Sequence, residues 1–309
     1  MKIILPGGAG LVGQNLVAKL KASGYTEIVV LDKHEANLNI LKSVHPELVA
    51  EHADLAEPGA WERHFDSVGV VVMLQAQIGG TDYAEFVKNN VDSSRLILEK
   101  IKANSGLRLV HISSSVLESN ADDFYTRSKR QQEELVIESG IECAILRPTL
   151  MYGWFDRKHL GWLARFMKKT PIYPIPGNGR FMRQPLYAGD FSNIIMSCIG
   201  RPEIQGIYNI SGHEKIDYID IIRTIKKVTK ARAKIIKIPY SVFYLLLWLW
   251  ATIDKNPPFT TQQLVALSTK DEFEVIDWPS IFSVSYTPFD TAIKETFNHP
   301  IYSNIVLEF

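Results

Sequence analysis

The chain has 309 residues, 46% hydrophobic and 22% charged, with Lys+Arg and Asp+Glu balanced at 34 each. That length supports a large core and, as a prior, about two domains. The balanced charge excludes a polybasic nucleic-acid binder and an acidic tail. The only cysteines, Cys143 and Cys198, sit in apolar runs and make neither a disulfide framework nor a metal site, so a reducing, cytoplasmic setting is expected.

Lys2 to Leu5 read as a short buried strand, and no signal peptide is expected before it. It runs into three glycines, Gly7, Gly10 and Gly13. Leu11, Val12, Leu16, Val17 and Leu20 follow at helical spacing. A strand–glycine turn–helix unit leaves free backbone N–H groups at the positive end of the helix dipole, an anion site suited to a pyrophosphate. Gly7 would make the turn, Gly10 would admit the phosphates and Gly13 would let helix and strand approach. A second apolar strand, "EIVVLD", ends on Asp32, 19 residues beyond Gly13. A carboxylate there accepts both adenosine ribose hydroxyls and repels a 2′-phosphate, which favours NAD over NADP. Lys33 and His34 next to it soften that preference.

"ELVAEHADL", "GVVVMLQAQ", "LRLVHISSS" and "ECAILRP" supply strands three to six, and helices are expected over about 82–102 and 123–138. Near-continuous apolar strands between helices predict a parallel sheet covered on both faces. The fold class is therefore α/β, a Rossmann-type doubly wound parallel sheet with a smaller, mixed C-terminal substrate domain. Residues 1–147 form the dinucleotide domain, rejoined by a helix and strand over 186–211. Residues 148–185 and 212–309 form the substrate domain. The run "YSVFYLLLWLWATI", Tyr240 to Ile253, is too short to span a bilayer, which needs about 20 residues. It reads as a buried or substrate-covering helix in preference to a membrane contact, with Trp248 and Trp250 as packing residues.

Ser113, Ser114 and Ser115 end strand five, where open α/β sheets hold their ligands. Ten residues on, "YTRSK" puts Tyr125 and Lys129 on one helix face. A lysine ammonium beside a phenol lowers the phenol pKa, so that Tyr125 can act as a base toward a substrate hydroxyl. The lysine can also reach a nicotinamide ribose, and a serine hydroxyl can hold the substrate oxygen. His111, inside strand five, reads as a packed core residue, and the eight histidines show no metal spacing.

Together these motifs resemble the extended short-chain dehydrogenase/reductase family, of the NAD-dependent sugar-nucleotide epimerase and dehydratase type. "GGAGLVG" matches the glycine motif, "ADL" the adenine-contacting Asp54 with Leu55, and "NNV" the helix-four Asn90. "LRPTLMYG" matches the segment that opens the substrate region, and "RFMRQPLYAGD" the segment whose arginine grips the substrate diphosphate. The resemblance implies Ser114, Tyr125 and Lys129 as catalytic residues. It implies Gly7, Gly10, Leu11, Val12, Gly13, Asp32, Asp54, Leu55, Gln75, Asn90, Tyr125 and Lys129 around NAD. It also implies Ser115, Arg147, Tyr152 and Arg183 around a sugar nucleotide, a UDP-sugar. The helices near 82–104 and 123–139 are the expected homodimer surface. Strand four departs from the family in ending "LQAQ", the serine-to-tyrosine gap is short, and no Thr-Asp-Glu follows the serine, which disfavours dehydration. Open alternatives are a net reductase of a sugar nucleotide or hydrophobic alcohol, and a non-catalytic dinucleotide-binding sensor or assembly protein.

Overall fold

The computed structural model describes residues 1–102, 104, 106–119, 121–253, 261, 264–265 and 274–308. Seven strands build the central sheet: β1 (Ile3–Pro6), β2 (Ile28–Asp32), β3 (Val49–His52), β4 (Val70–Met73), β5 (Arg108–Ile112), β6 (Cys143–Pro148) and β11 (Gly206–Ile210). Their order is β11-β6-β5-β4-β1-β2-β3, and every pairing is parallel. Successive side chains of a strand point to opposite faces. Ile3, Leu5, Val70, Val72, Val110 and Ile112 therefore enter one core, under α1 (Leu11–Ala22) and α7 (Ala188–Gly200). Ile4, Val71, Met73 and Leu109 enter the other, against Trp61, Phe65, Ile97, Ile101 and Val136. Covering both faces is why these strands carry no polar alternation.

The chain order reverses between β1 and β4, which opens a crevice at the C-terminal ends of the strands. After β6 the chain adds β7 (Met151–Tyr152), α6 (Leu160–Lys169), β8 (Ile172–Pro176), β9 (Met182–Arg183) and β10 (Leu186–Tyr187). α7 and β11 then return to the sheet, where β11 pairs with β6. β12 (Ile216–Asp217), α8 (Tyr218–Thr229), β13 (Lys234–Ile238), α9 (Tyr240–Ile253) and helices at Trp278–Phe282 and Phe289–Asn298 complete the described chain. A third core joins α6, α8 and the last of these helices through Met167, Ile222, Ile225 and Ile293.

Two expectations are corrected. The helix over 82–102 is interrupted: α3 (Tyr83–Phe86) and α4 (Ser93–Ile101) flank a π-helical turn over Val87–Asp92. The wider turn buries both Asn89 and Asn90, which an uninterrupted helix would set about 100° apart. The expected burial of the Tyr240–Ile253 run also fails. Of α9, Phe243 and Leu247 are buried, whereas Trp248 is 54% and Trp250 49% exposed. No helix among the described residues is long and apolar enough to cross a membrane.

Candidate functional site

The glycines of the first turn divide by what surrounds them. Gly7 has φ +75°, and a Cβ there would lie 2.4 Å from the Gln75 backbone on β4's extension. A Cβ on Gly13 would lie 2.2 Å from the Gly8 carbonyl oxygen. Both are required by the protein itself. Gly10 is different: a Cβ would meet only the Gly7 oxygen, at 3.7 Å. The space over Gly10 is open, and no side chain caps the α1 N-terminus it begins. An open glycine below uncapped N–H groups is the cradle a pyrophosphate needs.

Asp32, at the end of β2, accepts hydrogen bonds from Ala9 N–H (3.0 Å) and His34 N–H (2.9 Å). One backbone bond to each carboxylate oxygen fixes the group and leaves each oxygen a further lone pair. Burial raises its pKa and the backbone donors partly oppose that. Of its two neighbours, Lys33 Nζ donates to Asn89 Oδ1 (2.7 Å), while His34 Nδ1 accepts from Asn37 N–H. Asp54 accepts from Ala56 N–H (3.1 Å) and pairs with Lys88 (3.1 Å), and Leu55 is buried next to it. Leu11 and Val12 begin α1 half-buried.

Across the crevice, Ser114 ends β5 and caps a short 3₁₀ turn over Ser115–Glu118. α5 (Phe124–Glu138) starts on the Asp123 cap and places half-buried Tyr125 in its first turn. The Ser114 hydroxyl is a neighbour of the phenol that acts to lower its pKa. Lys129 follows one turn later, 1% exposed, and Nζ donates to the Ile112 carbonyl (2.9 Å) and to Gln132 Oε1. Ser114, Tyr125 and Lys129 thus converge at the C-terminal edge of β5.

Their electrostatics differ from the sequence expectation. Burial pushes the Tyr125 phenol up, the neighbouring Ser114 hydroxyl pulls it partly back, and Asp123 raises it. Lys129 is itself brought down to about 7 by burial, against an opposing pull from Glu133. Among the groups that shift the phenol, Ser114 lowers it and Lys129 takes no part. Buried His111 is held neutral by burial and by Lys129.

Several expected contact residues are committed to the protein. Asn90 is fully buried. Its Oδ1 accepts from Gln77 N–H (2.6 Å), and its amide donates to Ser128 Oγ (2.8 Å) and the Gln77 carbonyl. It ties the strand-four loop to α5. Gln75 is buried and donates to Ser94 Oγ (3.1 Å). Arg147, expected at the substrate, has its Nε and Nη2 on buried Glu133 and its Nη1 on Glu118. Tyr152 is 1% exposed and packs between Tyr187 and Phe289. In the folded chain Arg147 thus holds Glu133 and Glu118, and Tyr152 packs in the third core. Buried Ser115 follows Ser114 directly, and Arg183 lies on β9, paired antiparallel with β12. The sequence reading missed Glu133, which also accepts from Ser113 Oγ. Its signal was available, since Glu133 stands four residues beyond Lys129 on the same helix face.

A sequence profile of the NAD dependent epimerase/dehydratase family matches residues 3–211. The chain belongs to this family. Among curated proteins, this epimerase/dehydratase-family chain is 22% identical over 264 residues to NADH dehydrogenase [ubiquinone] 1 alpha subcomplex subunit 9 of Dictyostelium discoideum, covering 84% of this chain and 73% of that protein. It is 21% identical over 276 residues to dTDP-glucose 4,6-dehydratase of Escherichia coli, covering 74% and 76%. The UDP-glucuronic acid 4-epimerase of Bacillus cereus, solved with UDP-glucuronic acid and NAD, superposes with TM-score 0.73. It shares 19% identity and is matched over 97% of this chain and 98% of that one. At that identity the superposition establishes the family's fold.

Proposed function

We propose that this family member is an NAD-dependent epimerase of a sugar nucleotide, a UDP-hexose. The observation that carries the reading is the Ser114 hydroxyl set beside the Tyr125 phenol at the same sheet edge as the open Gly10 cradle. Gly7, Gly10, Leu11, Val12 and Gly13 hold the pyrophosphate, Asp32 the adenosine ribose, and Asp54 with Leu55 borders the adenine. Bound NAD supplies a hydride acceptor that can return the hydride to either sugar face. Tyr125 takes the proton from the sugar hydroxyl, Ser114 holds that oxygen, and Ser115 borders the sugar. Loss of both proton and hydride leaves a ketone on the sugar. Arg183 grips the diphosphate, as a guanidinium suits phosphate oxygens. No Thr-Asp-Glu follows Ser114, so the acid pair for water elimination is missing. Two copies would pair through α3–α4 and α5, where Ile137 is exposed, and the enzyme would work in the cytoplasm.

Purified protein incubated with UDP-glucose and UDP-glucuronic acid, followed by NMR, should yield the C4 epimer while NAD shows no net reduction. Release of NAD with no turnover of either sugar nucleotide overturns the reading. That outcome would favour a non-catalytic subunit, which the likeness to the NADH dehydrogenase subunit supports.

NAD should bind at least about tenfold more tightly than NADP, the equivalent of about 1.4 kcal/mol, because Asp32 repels the 2′-phosphate. Separate titrations of the two dinucleotides check this, and tighter NADP binding removes Asp32 from the ribose.

A further inference from the structure

We propose that α9 docks this protein on an anionic lipid surface, lying in the membrane interface with β13 as its basic flank. The proposal is independent of the catalytic reading. Val242, Leu245, Leu246, Trp248, Leu249 and Trp250 are all exposed, and α9 carries no charged residue. Only Phe243 and Leu247, one turn apart, are buried, packing with Leu264 and Ile238 to fasten the helix to the body. Chains that remain single in water seldom leave so large a continuous apolar face in solvent.

Charge names the occupant. From Ile221 to Ile253 there is no Asp or Glu. The same stretch holds Lys227, Lys230, Arg232, Lys234 and Lys237, all exposed, and none pairs with a carboxylate among the described residues. β13 passes from Lys237 through Ile238 and Pro239 straight into α9, so the basic strand and the apolar helix are continuous. A second copy of the chain would offer the same positive surface and repel it. Anionic headgroups attract it, at about 1 kcal/mol per Lys or Arg near the surface. Tyr244, Trp248 and Trp250 are exposed residues of the types that favour the headgroup level. α9 is about 21 Å long at 1.5 Å per residue, short of the ~30 Å hydrocarbon core, so it lies on the bilayer instead of crossing it. Apolar insertion and a basic patch are the two signals that stable surface anchoring needs.

The test is cosedimentation of the full chain with vesicles of phosphatidylcholine alone and of phosphatidylcholine mixed with phosphatidylglycerol. The protein should partition to the mixed vesicles, with blue-shifted tryptophan emission, and leave them at high salt. Lys234→Gln with Lys237→Gln should lower partitioning about fivefold per lysine, the equivalent of that ~1 kcal/mol. Leu245→Glu with Trp248→Glu should abolish it while NAD binding, which reports the fold, stays at the parent level. Equal binding to neutral and mixed vesicles, or binding to neither, overturns the proposal. So does a lipid-free dimer that Leu245→Glu dissociates, which would give the face to a second copy.

Discussion

Tyr125→Phe should epimerise its sugar nucleotide about 10²–10⁴-fold more slowly than the parent while binding NAD with the same affinity, since that is what loss of a positioned acid/base group costs. The ring of Tyr125 remains to pack in the first turn of α5, and only the hydroxyl beside Ser114 is lost. Phenylalanine leaves the fold and the glycine cradle untouched, so the loss falls on turnover. Burial also predicts the pH profile. In the proposed reaction the base is the phenolate, and the folded chain holds the phenol above its ordinary value, so parent turnover should climb as pH rises through the alkaline range. The Phe variant should lose that climb. Wild-type turnover by Tyr125→Phe on the true substrate would remove Tyr125 from the chemistry. Steady-state rates with an NAD titration separate the two readouts.

Glu133→Ala should destabilise the protein by about 3–5 kcal/mol, the range found when one member of a buried ion pair is removed. The Glu133 side chain is 5% exposed and that of Arg147 16%. Glu133 takes two guanidinium nitrogens of Arg147 and the Ser113 hydroxyl, and it opposes the loss of charge on Lys129. Alanine leaves Arg147 with only Glu118 and strips Lys129 of its nearest stabilising charge. Glu133→Gln keeps hydrogen-bonding atoms and should cost less. Urea denaturation of the three proteins checks the order. Because Ser113 directly precedes Ser114, the alanine variant should also lose turnover at temperatures where it remains folded. A midpoint for Glu133→Ala equal to the parent's would mean that the pair contributes nothing to the fold.

The sheet was legible because its signals are local. β1, β4 and β5 are short apolar runs punctuated by glycine and polar turns, and a run apolar on both faces belongs in a parallel sheet with helices on each side. Gly7 and Gly13 were legible for the same reason: a turn that needs φ +75°, or a helix within 2.2 Å of a carbonyl once a Cβ is built, admits no other residue. The four-residue step from Tyr125 to Lys129 likewise fixes a shared helix face, whatever the rest of the chain does.

What a polar side chain meets is not local, and there the tertiary structure decided. Arg147, Asn90 and Tyr152 have the residue types and spacing of ligand contacts, yet their partners Glu133, Gln77, Ser128 and Phe289 come from other elements. Lys129 shares a face with Tyr125, but burial beneath β5 and the Ile112 carbonyl, not helical spacing, sets its charge. α9 makes the contrast plainest. A run of fourteen uncharged, mostly apolar residues establishes a helix that avoids water, and nothing in its pattern says whether protein or lipid covers it. Only packing reveals that two of its large side chains turn inward while eight others face out beside a basic strand. Backbone demands act within a few residues and are written in the sequence. The energies of charge and burial depend on whichever distant segments close around a group, and only the folded chain determines which those are.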